Sequence, residues 1–306
     1  MASKFDILGL GCTAVDELLY VAAYPPADGK MRVRRRERRC GGLTATALVA
    51  AARLGGKCAF AGVLGKDEQS RFVLDCLEQE KIHINHYVCR SDARPIQSTV
   101  VVDERRKTRT IFFDTNHAWG ADTKAPTEAV IRSTRVLLVD NFGIEGMVRA
   151  ARIARSAGIP IVADFEDSDS PGFSKLLELV DHLILSEGFA RKLTGAKHPA
   201  EAARALWTNG RAVVIVTCGA KGCYYLAADD ERPKSVPAFR VKALDTTGCG
   251  DVFHGAYALA LARKLELRER IRFASAAAAL KATRHGGQTG IPTRQRVNKL
   301  LQRSKR

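Results

Sequence analysis

Two kinds of segment alternate along this 306-residue chain, and that alternation constrains its fold more than any other feature. Short runs rich in Val, Ile and Leu alternate with longer stretches in which Ala and Leu recur at helical spacing. This order is typical of βαβ units and a parallel sheet. The predicted strands are residues 5–11, 57–65, 135–140, 159–165, 181–186 and 212–219. The predicted helices, each ending at or near Gly or a polar turn, are 44–55, 70–81, 145–158 and 198–210.

Two segments interrupt the alternation, residues 16–39 and 96–114. Both have the pattern of β-strands and hairpins with polar turns, so we expect them to form a small β-sheet that projects from the main domain. Such a sheet can act as a lid that excludes water from a site at the edge of the main sheet. The sequence therefore predicts a single α/β domain over 1–306, with a doubly wound, mostly parallel sheet flanked by helices and a β lid.

The formal net charge of +16 is partly concentrated in KMRVRRRERR, residues 30–39. A run of this kind could bind nucleic-acid phosphates. Zinc-finger spacing and an aromatic RNA-binding signature are both missing, so we favour a solvated strand or lid face, with attraction of an anionic substrate as the second interpretation. We expect neither nucleic acid nor a membrane as a partner.

Three sequence features bear on where the protein is located in the cell. No run approaches the roughly 18 apolar residues of a membrane-spanning helix, and MASKFDILGLGC lacks the layout of a signal peptide. The eight cysteines show no CxxC pair, which fits reduced and mostly buried thiols. We therefore expect a cytoplasmic protein.

The stretch DTTGCGDVFHGA, residues 245–256, is the strongest candidate for chemistry. Backbone N–H groups at a glycine-rich helix N-terminus form an anion site that the helix dipole reinforces. Asp251 beside that site could serve as a general base for an attacking hydroxyl. It could equally be a first-turn carboxylate that stabilises the helix. The spacing alone leaves both interpretations open.

The same stretch closely resembles the second signature of the PfkB, or ribokinase-like, family of carbohydrate kinases. CGGLTATALVAAARLGG, residues 40–56, resembles the first signature. GLGCTAVDELL, DHLILSEGFARKLTG, VIVTCGAKGC and ALKATRHGGQTGIP follow in the family's usual order, so the resemblance covers almost the whole chain. It implies a ribokinase-like fold and transfer of the γ-phosphoryl group of ATP, with Mg²⁺, to a hydroxyl of a small sugar, a ketose-like substrate being favoured. A homodimer formed through the lid is also an expectation.

The resemblance assigns roles to residues of this chain. Asp251 matches the catalytic base, and the N–H groups of Gly248, Cys249 and Gly250 match the anion hole. On the substrate side, the matching residues are Asp16, which grips sugar hydroxyls, together with Gly41, Gly42, Thr46 and Lys30. On the nucleotide side, they are Thr217, Gly219, Gly222, Thr247, Ser275 and Gly287, the last in the loop 283–290.

Cations are implied at two places. Asp245 and Thr247, with carbonyl groups of the loop 283–290, lie where family members often hold a monovalent cation such as K⁺. The family's Asn-x-x-Glu motif is missing, because Ser186 and Phe189 occupy those positions. We take Glu187 and Asp164, both at predicted strand ends, as candidate replacements near the magnesium ion.

Other departures concern the substrate. Thr46 replaces the usual asparagine and Leu43 the usual lysine or similar polar residue, which argues against a ribose-type pattern of hydrogen bonds. Thr46 and the segments around 186–195 and 272–292 most resemble the sulfofructose kinase branch. Lys30 lies where that branch has a lysine near the anionic end of its substrate.

Rival interpretations rest on weaker patterns. GLGCTA at 9–14 fits a dinucleotide fingerprint, but Pro25, Pro26 and the basic segment follow where a Rossmann unit needs a helix. A P-loop sequence is absent. Two alternatives stay open: a nucleoside kinase of the same fold, and a non-catalytic protein that binds sugar or nucleic acid.

Overall fold

The computed structural model describes residues 3–106 and 108–304. Residue 107, in the second predicted lid segment, and residues 1, 2, 305 and 306 of the predicted domain lie outside the described residues. The strands are β1 (Phe5–Leu10), β2 (Ala14–Val21), β3 (Val33–Gly41), β4 (Cys58–Phe60), β5 (Val63–Leu64), β6 (Val88–Cys89), β7 (Ile96–Asp103), β8 (Thr108–Asp114), β9 (Thr134–Val139), β10 (Ile161–Asp164), β11 (His182–Ser186), β12 (Val213–Thr217), β13 (Cys223–Ala227) and β14 (Lys234–Val236). The helices are α1 (Leu43–Arg53), α2 (Glu68–Gln79), α3 (Glu128–Arg132), α4 (Ile144–Ser156), α5 (Phe173–Leu179), α6 (Glu187–Thr194), α7 (Pro199–Ala205), α8 (Cys249–Ala262), α9 (Leu267–Ala282) and α10 (Arg294–Arg303).

The large sheet has eight strands in the order β14-β13-β12-β11-β10-β9-β1-β4. The six strands from β12 to β4 pair in parallel, whereas β13 and β14 are antiparallel additions at one edge. The carboxyl ends of the parallel strands therefore meet along one edge of the sheet, which is where ligands bind in open α/β folds.

Hydrophobic cores cover both faces of this sheet, as expected for parallel strands with continuous apolar runs. Alternate side chains of β1 point to opposite faces, so Ile7 joins one core and Leu8 the other. The core around Ile7 includes α1, α8 and α9, and the core around Leu8 includes α4 and α7. This arrangement confirms the predicted doubly wound α/β fold.

A separate sheet of four strands, in the order β3-β2-β7-β8, forms from the two segments predicted as a lid. Strand β2 pairs antiparallel with β3 and parallel with β7, and β7 pairs antiparallel with β8. The register Asp16–Ser98–Phe113 places these three residues on one face. Strand β3 runs through Gly41 directly into α1, so this sheet adjoins the large one.

Most predicted boundaries agree with the structure within two residues. The predicted strand 57–65 is divided, because Val63 and Leu64 leave the large sheet and pair with Val88 and Cys89. The predicted helix 198–210 ends early, since α7 stops at Ala205. Among the described residues, none of the helices combines the length and apolar character needed to cross a membrane.

Candidate functional site

The start of helix α8 is the centre of the candidate site. The segment 245–256 enters this helix at Gly248, whose φ of 74° lies in the left-handed region that favours glycine. Further along the helix, a Cβ on Gly255 would lie 2.0 Å from the carbonyl oxygen of Ala47 in α1. Helices α1 and α8 therefore pack with their backbones in close contact. This packing brings the segments 40–56 and 245–256 together.

The three glycine-region N–H groups predicted to bind an anion differ in their surroundings. The N–H of Cys249 donates to the carbonyl oxygen of Thr246 at 3.2 Å and closes a turn, so it is engaged within the protein. A Cβ on Gly250 would meet no atom within 4 Å, which leaves open space beside that residue. Helix dipole and N–H groups favour an anion at such an end. Gly248 shapes the turn, and Gly250 borders the open space.

Asp251, in the first turn of α8, belongs to an acidic cluster with the buried Asp164 and the exposed Glu166. His254 lies against the cluster, with Nδ1 2.8 Å from the carbonyl oxygen of Gly250 and 3.1 Å from Oδ2 of Asp164. Burial raises the pKa of Asp251 well above its ordinary value, and the charges of Asp164 and Glu166 raise it further. A carboxylate with a raised pKa beside open space is suited to accept a proton.

The two residues predicted near magnesium lie in different surroundings. Asp164 ends β10, and its buried Oδ2 accepts no hydrogen bond within the described chain, because Nδ1 of His254, 3.1 Å away, is closer to the carbonyl oxygen of Gly250 at 2.8 Å. Glu187 begins α6, after Ser186 has capped that helix by accepting the N–H of Phe189 at 3.2 Å. Burial raises the pKa of the Cys218 thiol, which follows β12, and the negative charge of Glu187 raises it further. Glu187 therefore lies near the end of β12. Over residues 3–106 and 108–304, no group of three or more His, Cys, Asp or Glu side chains could hold a metal ion on its own.

Asp16 is the predicted substrate residue whose surroundings are best defined. It lies on β2, paired with Arg39 of β3 and with Ser98 of β7. A Cβ on Gly41 would come 2.6 Å from Oδ2 of Asp16, so any residue larger than glycine at position 41 would displace this carboxylate. Burial raises the pKa of Asp16, and a hydrogen bond from Ser98 opposes that shift. The next residue, Gly42, starts α1 with a φ of 94°.

Thr46 and Lys30, which were also predicted to bind the substrate, lie in very different surroundings. Thr46 is buried in α1, and its Oγ1 accepts a hydrogen bond from Nε2 of Gln288 at 3.3 Å. Leu43 packs against the small apolar cluster of Cys12, Ala14 and Ile96. Lys30 is exposed in the connection between β2 and β3, and no polar contact of its side chain was found within the described chain.

The predicted nucleotide residues are divided between two regions. Thr217 ends β12, and its Oγ1 donates to the carbonyl oxygen of Leu185 at 3.3 Å. Gly219 follows, and a Cβ on this residue would meet no atom within 4 Å, so the space beside it is open. Gly222 has a φ of 96°, and its Cβ would lie 2.1 Å from the carbonyl oxygen of Val236, so the β12–β13 turn requires glycine there. Ser275 is half-buried in the middle of α9, and none of the hydrogen bonds of the described residues joins it to these strand ends.

Asp245 connects four parts of the structure. Its Oδ1 accepts from the N–H and the hydroxyl of Thr247 at 2.8 and 2.6 Å, and its Oδ2 accepts from the N–H of Gly286 at 2.8 Å. Nη1 of Arg109, from β8, lies 3.4 Å from Oδ1. Nζ of Lys281, from α9, donates to the backbone oxygen of Asp245 at 2.9 Å. Burial would raise the pKa of Asp245, but these hydrogen bonds and the charge of Lys281 outweigh it and lower that pKa.

The loop 283–290 lies against the start of α8. A Cβ on Gly248 would meet the Cα and the carbonyl oxygen of Gly287 at 3.3 Å. The loop 283–290 therefore contacts the segment 245–248. A cation from α9, the ammonium group of Lys281, also reaches the segment.

Sequence reasoning missed several residues that contribute to the site. Glu166 directly follows the predicted strand 159–165, a position that already indicates a site at the carboxyl edge of the sheet. Asp140 is the last residue of the predicted strand 135–140, and its buried carboxylate accepts hydrogen bonds from the N–H of Cys12 at 2.7 Å and the hydroxyl of Thr44 at 2.8 Å. Arg109 and Lys281 carried no local signal, because their role depends on contacts distant in sequence.

Helix α8 starts with an end that favours an anion, and its first turn carries Asp251, whose pKa is raised. This combination suits an enzyme that transfers a phosphoryl group. The sequence pattern of the pfkB family carbohydrate kinases matches residues 10–294. A ribokinase of Haemophilus influenzae is 29% identical over 300 residues, covering 96% of this chain and 97% of that protein. Fructokinase-2 of Oryza sativa is 27% identical over 288 residues, covering 86% and 85%.

Solved structures agree with the sequence comparison. The ribokinase of Thermotoga maritima superposes with a TM-score of 0.85 at 25% identity, covering 97% of this chain and 99% of that one. This chain belongs to the pfkB family of carbohydrate kinases, and it is a sugar kinase.

Proposed function

We propose that the chain transfers the γ-phosphoryl group of ATP to a hydroxyl of a small sugar, with a ketose-like sugar favoured and Asp251 as the general base. The observation that carries this proposal is the position of Asp251. Burial raises the pKa of its carboxylate, and it directly follows Gly250, beside which the structure leaves open space. Helix α8, which carries Asp251, packs against α1, and α1 contacts β3 of the small sheet. Such an enzyme fits the cytoplasm, where ATP is abundant.

The residues of this chain suggest the course of the reaction. Asp16 and the backbone at Gly41 and Gly42 orient the sugar beneath the four-stranded sheet. Asp251 accepts the proton of the attacking hydroxyl, and the N–H of Gly250 with the positive end of α8 stabilises charge on the transferring group. The small sheet excludes water, which favours the sugar hydroxyl over hydrolysis of ATP.

Asp164 is the residue of this chain best suited to approach a magnesium ion. Its buried Oδ2 accepts no hydrogen bond among the described residues and has only Nδ1 of His254 nearby, at 3.1 Å, and carboxylate oxygens are ligands that Mg²⁺ prefers. Glu187 remains a second candidate at the start of α6. Asp164, with Glu187 as the second candidate, would hold Mg²⁺ beside ATP, and the ion would supply positive charge that neutralises the phosphate groups. One or two carboxylates suffice for such an ion, since phosphates and water supply its other ligands.

The substrate side favours a sugar other than ribose. Thr46 is already bonded to Gln288, and Leu43 contributes an apolar surface where relatives would present a polar group. A sulfonated ketose, the substrate class of the sulfofructose kinase branch, would need a cation such as Lys30. That lysine is exposed in a long connection of the small sheet, so it would have to move toward the substrate.

The experiment that tests this proposal is a coupled ADP-release assay over ketoses, aldoses, sulfonated sugars, phosphorylated sugars and nucleosides. We expect the highest kcat/KM with a ketose. Asp251→Asn should lose nearly all turnover while retaining sugar binding, which calorimetry would measure. Ordinary kcat in that variant contradicts the role of Asp251. Preference for adenosine or inosine identifies the nucleoside kinase instead, and sugar binding without ADP release identifies a non-catalytic protein.

We also propose a homodimer formed through the small sheet. Strand β8 lies at its edge, and Ile111, Phe112 and Phe113 expose 45%, 54% and 69% of their surface. An edge strand with exposed apolar side chains favours association with another copy. Light scattering should show a dimer for the native chain and a monomer for Phe113→Asp. A native monomer contradicts the proposal.

A further inference from the structure

Lys281 is a buried lysine at a place where the structure otherwise gathers oxygen atoms. It belongs to the last turn of α9, and the residue has no exposed surface. Its Nζ donates to the backbone oxygen of Asp245 at 2.9 Å and lies 4.0 Å from Oδ1 of the same residue. A lysine is almost never fully buried unless it is paired with an acceptor or an opposite charge. The function of this charge therefore lies in its contacts with Asp245.

The surroundings of Lys281 are those of a cation site. The carbonyl groups of the last helical turn, together with the negative end of the helix dipole, favour a positive charge at the end of α9. The N–H groups of Leu244 and Asp245 both donate to the carbonyl oxygen of Ala282, at 2.7 and 3.1 Å, so the segment before α8 is tied to that same turn. Asp245 adds a carboxylate whose pKa is lowered, which keeps it charged.

A monovalent metal ion does not fit beside this ammonium group. Oδ1 of Asp245 already accepts two hydrogen bonds from Thr247, Oδ2 accepts one from Gly286, and the backbone oxygen accepts one from Lys281. Arg109 approaches the same carboxylate from the small sheet. Another cation at this place would meet two positive charges at short range in a partly buried region, where repulsion is weakly screened.

We propose that the ammonium group of Lys281 serves as a built-in monovalent cation, which holds the segment 245–248 in place and makes this kinase independent of K⁺. Lys281 is then a positioning residue: it fixes Asp245, which through Thr247 and Gly286 fixes the turn that precedes Gly250 and Asp251. The proposal rests on the proposed kinase function only for its effect on turnover. The occupancy of the site by Lys281 can be tested without activity.

The first test uses the native chain. The protein is exchanged into tetramethylammonium chloride, and ADP release with the preferred sugar is measured while KCl, NaCl or LiCl replaces that salt at constant ionic strength. We expect the same kcat and KM in all four salts. Activation that is specific for K⁺ overturns the proposal.

The second test uses two substitutions of different volume. Lys281→Ala removes the charge and leaves space, so kcat should fall by roughly 10- to 100-fold in tetramethylammonium chloride, as expected when a charged hydrogen bond is lost, and K⁺ should restore part of it. Lys281→Met removes the charge but fills the space, so it should show a similar loss with no response to K⁺. Lys299→Ala, at an exposed lysine of α10, is the control and should match the native chain in every salt.

Thermal unfolding separates this inference from the kinase proposal. An ion that binds the folded protein raises Tm. K⁺ should raise the Tm of Lys281→Ala above its value in Li⁺ and leave that of the native chain and Lys281→Met unchanged. Absence of ADP release with every sugar would defeat the kinase proposal without affecting this result. An equal Tm of Lys281→Ala in K⁺ and Li⁺ would overturn the cation role even if the native kinase is active.

Discussion

Nη1 of Arg109 and Oδ1 of Asp245 lie 3.4 Å apart, although 136 positions separate these residues in the chain. Arg109 belongs to β8 of the small sheet, and Asp245 begins the segment that leads into α8. The contact therefore fixes one edge of the small sheet over the carboxyl ends of the large sheet. A partly exposed ion pair of this kind is worth at most about 1 kcal/mol, so we expect it to affect closure of the sheet more than stability.

Arg109→Gln should raise the KM of the sugar by up to about fivefold with little change in kcat, because it weakens closure without touching Asp251. Steady-state kinetics with the preferred sugar measures this. Arg94→Gln is a matched control, since it breaks an ion pair of 3.2 Å to Asp114, away from Asp245. Equal effects of the two substitutions would show that the contact between Arg109 and Asp245 has no special role.

Gly41→Ala should weaken sugar binding specifically. Its Cβ would lie 2.6 Å from Oδ2 of Asp16, a distance that forces the carboxylate to move. Loss of one charged hydrogen bond to a sugar hydroxyl corresponds to a roughly tenfold or greater rise in Kd. Calorimetry of sugar and of ATP measures both affinities, and that for ATP should be unchanged.

The control for this substitution is Gly210→Ala. A Cβ on Gly210 would have no heavy atom closer than 3.9 Å, and this residue lies in the turn before β12, at the opposite edge of the sheet. It should bind sugar and ATP as the native chain does. Native sugar affinity in Gly41→Ala would contradict the placement of the sugar beside Asp16.

The elements that sequence reasoning predicted well are those with local signals. Strand 135–140 and helix 145–158 carry apolar residues at the period of their own secondary structure, and the structure has them at Thr134–Val139 and Ile144–Ser156. The segment 245–256 was identified for the same reason, since its glycines and Asp251 are close in sequence.

The rest depends on packing that the sequence does not display. Lys281 follows an alanine-rich stretch and looks like an ordinary solvent-exposed helical lysine, yet packing of α9 on α8 buries it beneath Asp245. The family resemblance predicts that Cys249 offers its N–H to a phosphate, whereas in the structure this N–H donates to the carbonyl oxygen of Thr246 at 3.2 Å. Tertiary contacts determine the partners of such charged and polar groups, and the local periodicity of a sequence carries no information about those contacts.

The acid side of the pH profile gives a third prediction. Burial, with the charges of Asp164 and Glu166, raises the pKa of Asp251. Since the base must be ionised, kcat/KM for the sugar should fall as pH drops through this raised pKa. Glu166→Gln removes one nearby negative charge, so the pH at which kcat/KM falls to half should move lower.

The measurement is kcat/KM from pH 5 to 8 at saturating ATP and Mg²⁺. Glu128→Gln, at an exposed residue of α3, is the control and should keep the native profile. A shift of the Glu166→Gln profile to higher pH, or no shift, would show that the charge of Glu166 does not act on the group that limits the rate.

The fourth prediction concerns stability and a buried histidine. Nδ1 of His182 lies 3.0 Å from the hydroxyl oxygen of Tyr257, between β11 and α8. Burial, and to a smaller extent the positive charge of Arg270, lowers the pKa of His182 to about 3. The pKa of a histidine in an unfolded chain is about 6.5. The unfolded chain therefore binds a proton first as pH falls. The stability that His182 contributes is complete above about 6.5 and is lost progressively toward about 3.

His182→Gln removes this titration while keeping a polar partner for Tyr257, so its free energy of unfolding should depend less on pH. Between pH 7 and 5 the native chain should lose about 2 kcal/mol more than the variant, as the two pKa values require. Urea unfolding at both pH values measures the difference, because carboxylates contribute equally to both proteins and cancel. His285→Gln, at an exposed loop position, should keep the native dependence. Parallel losses in the native chain and His182→Gln would show that His182 is protonated in the folded protein as readily as in the unfolded chain.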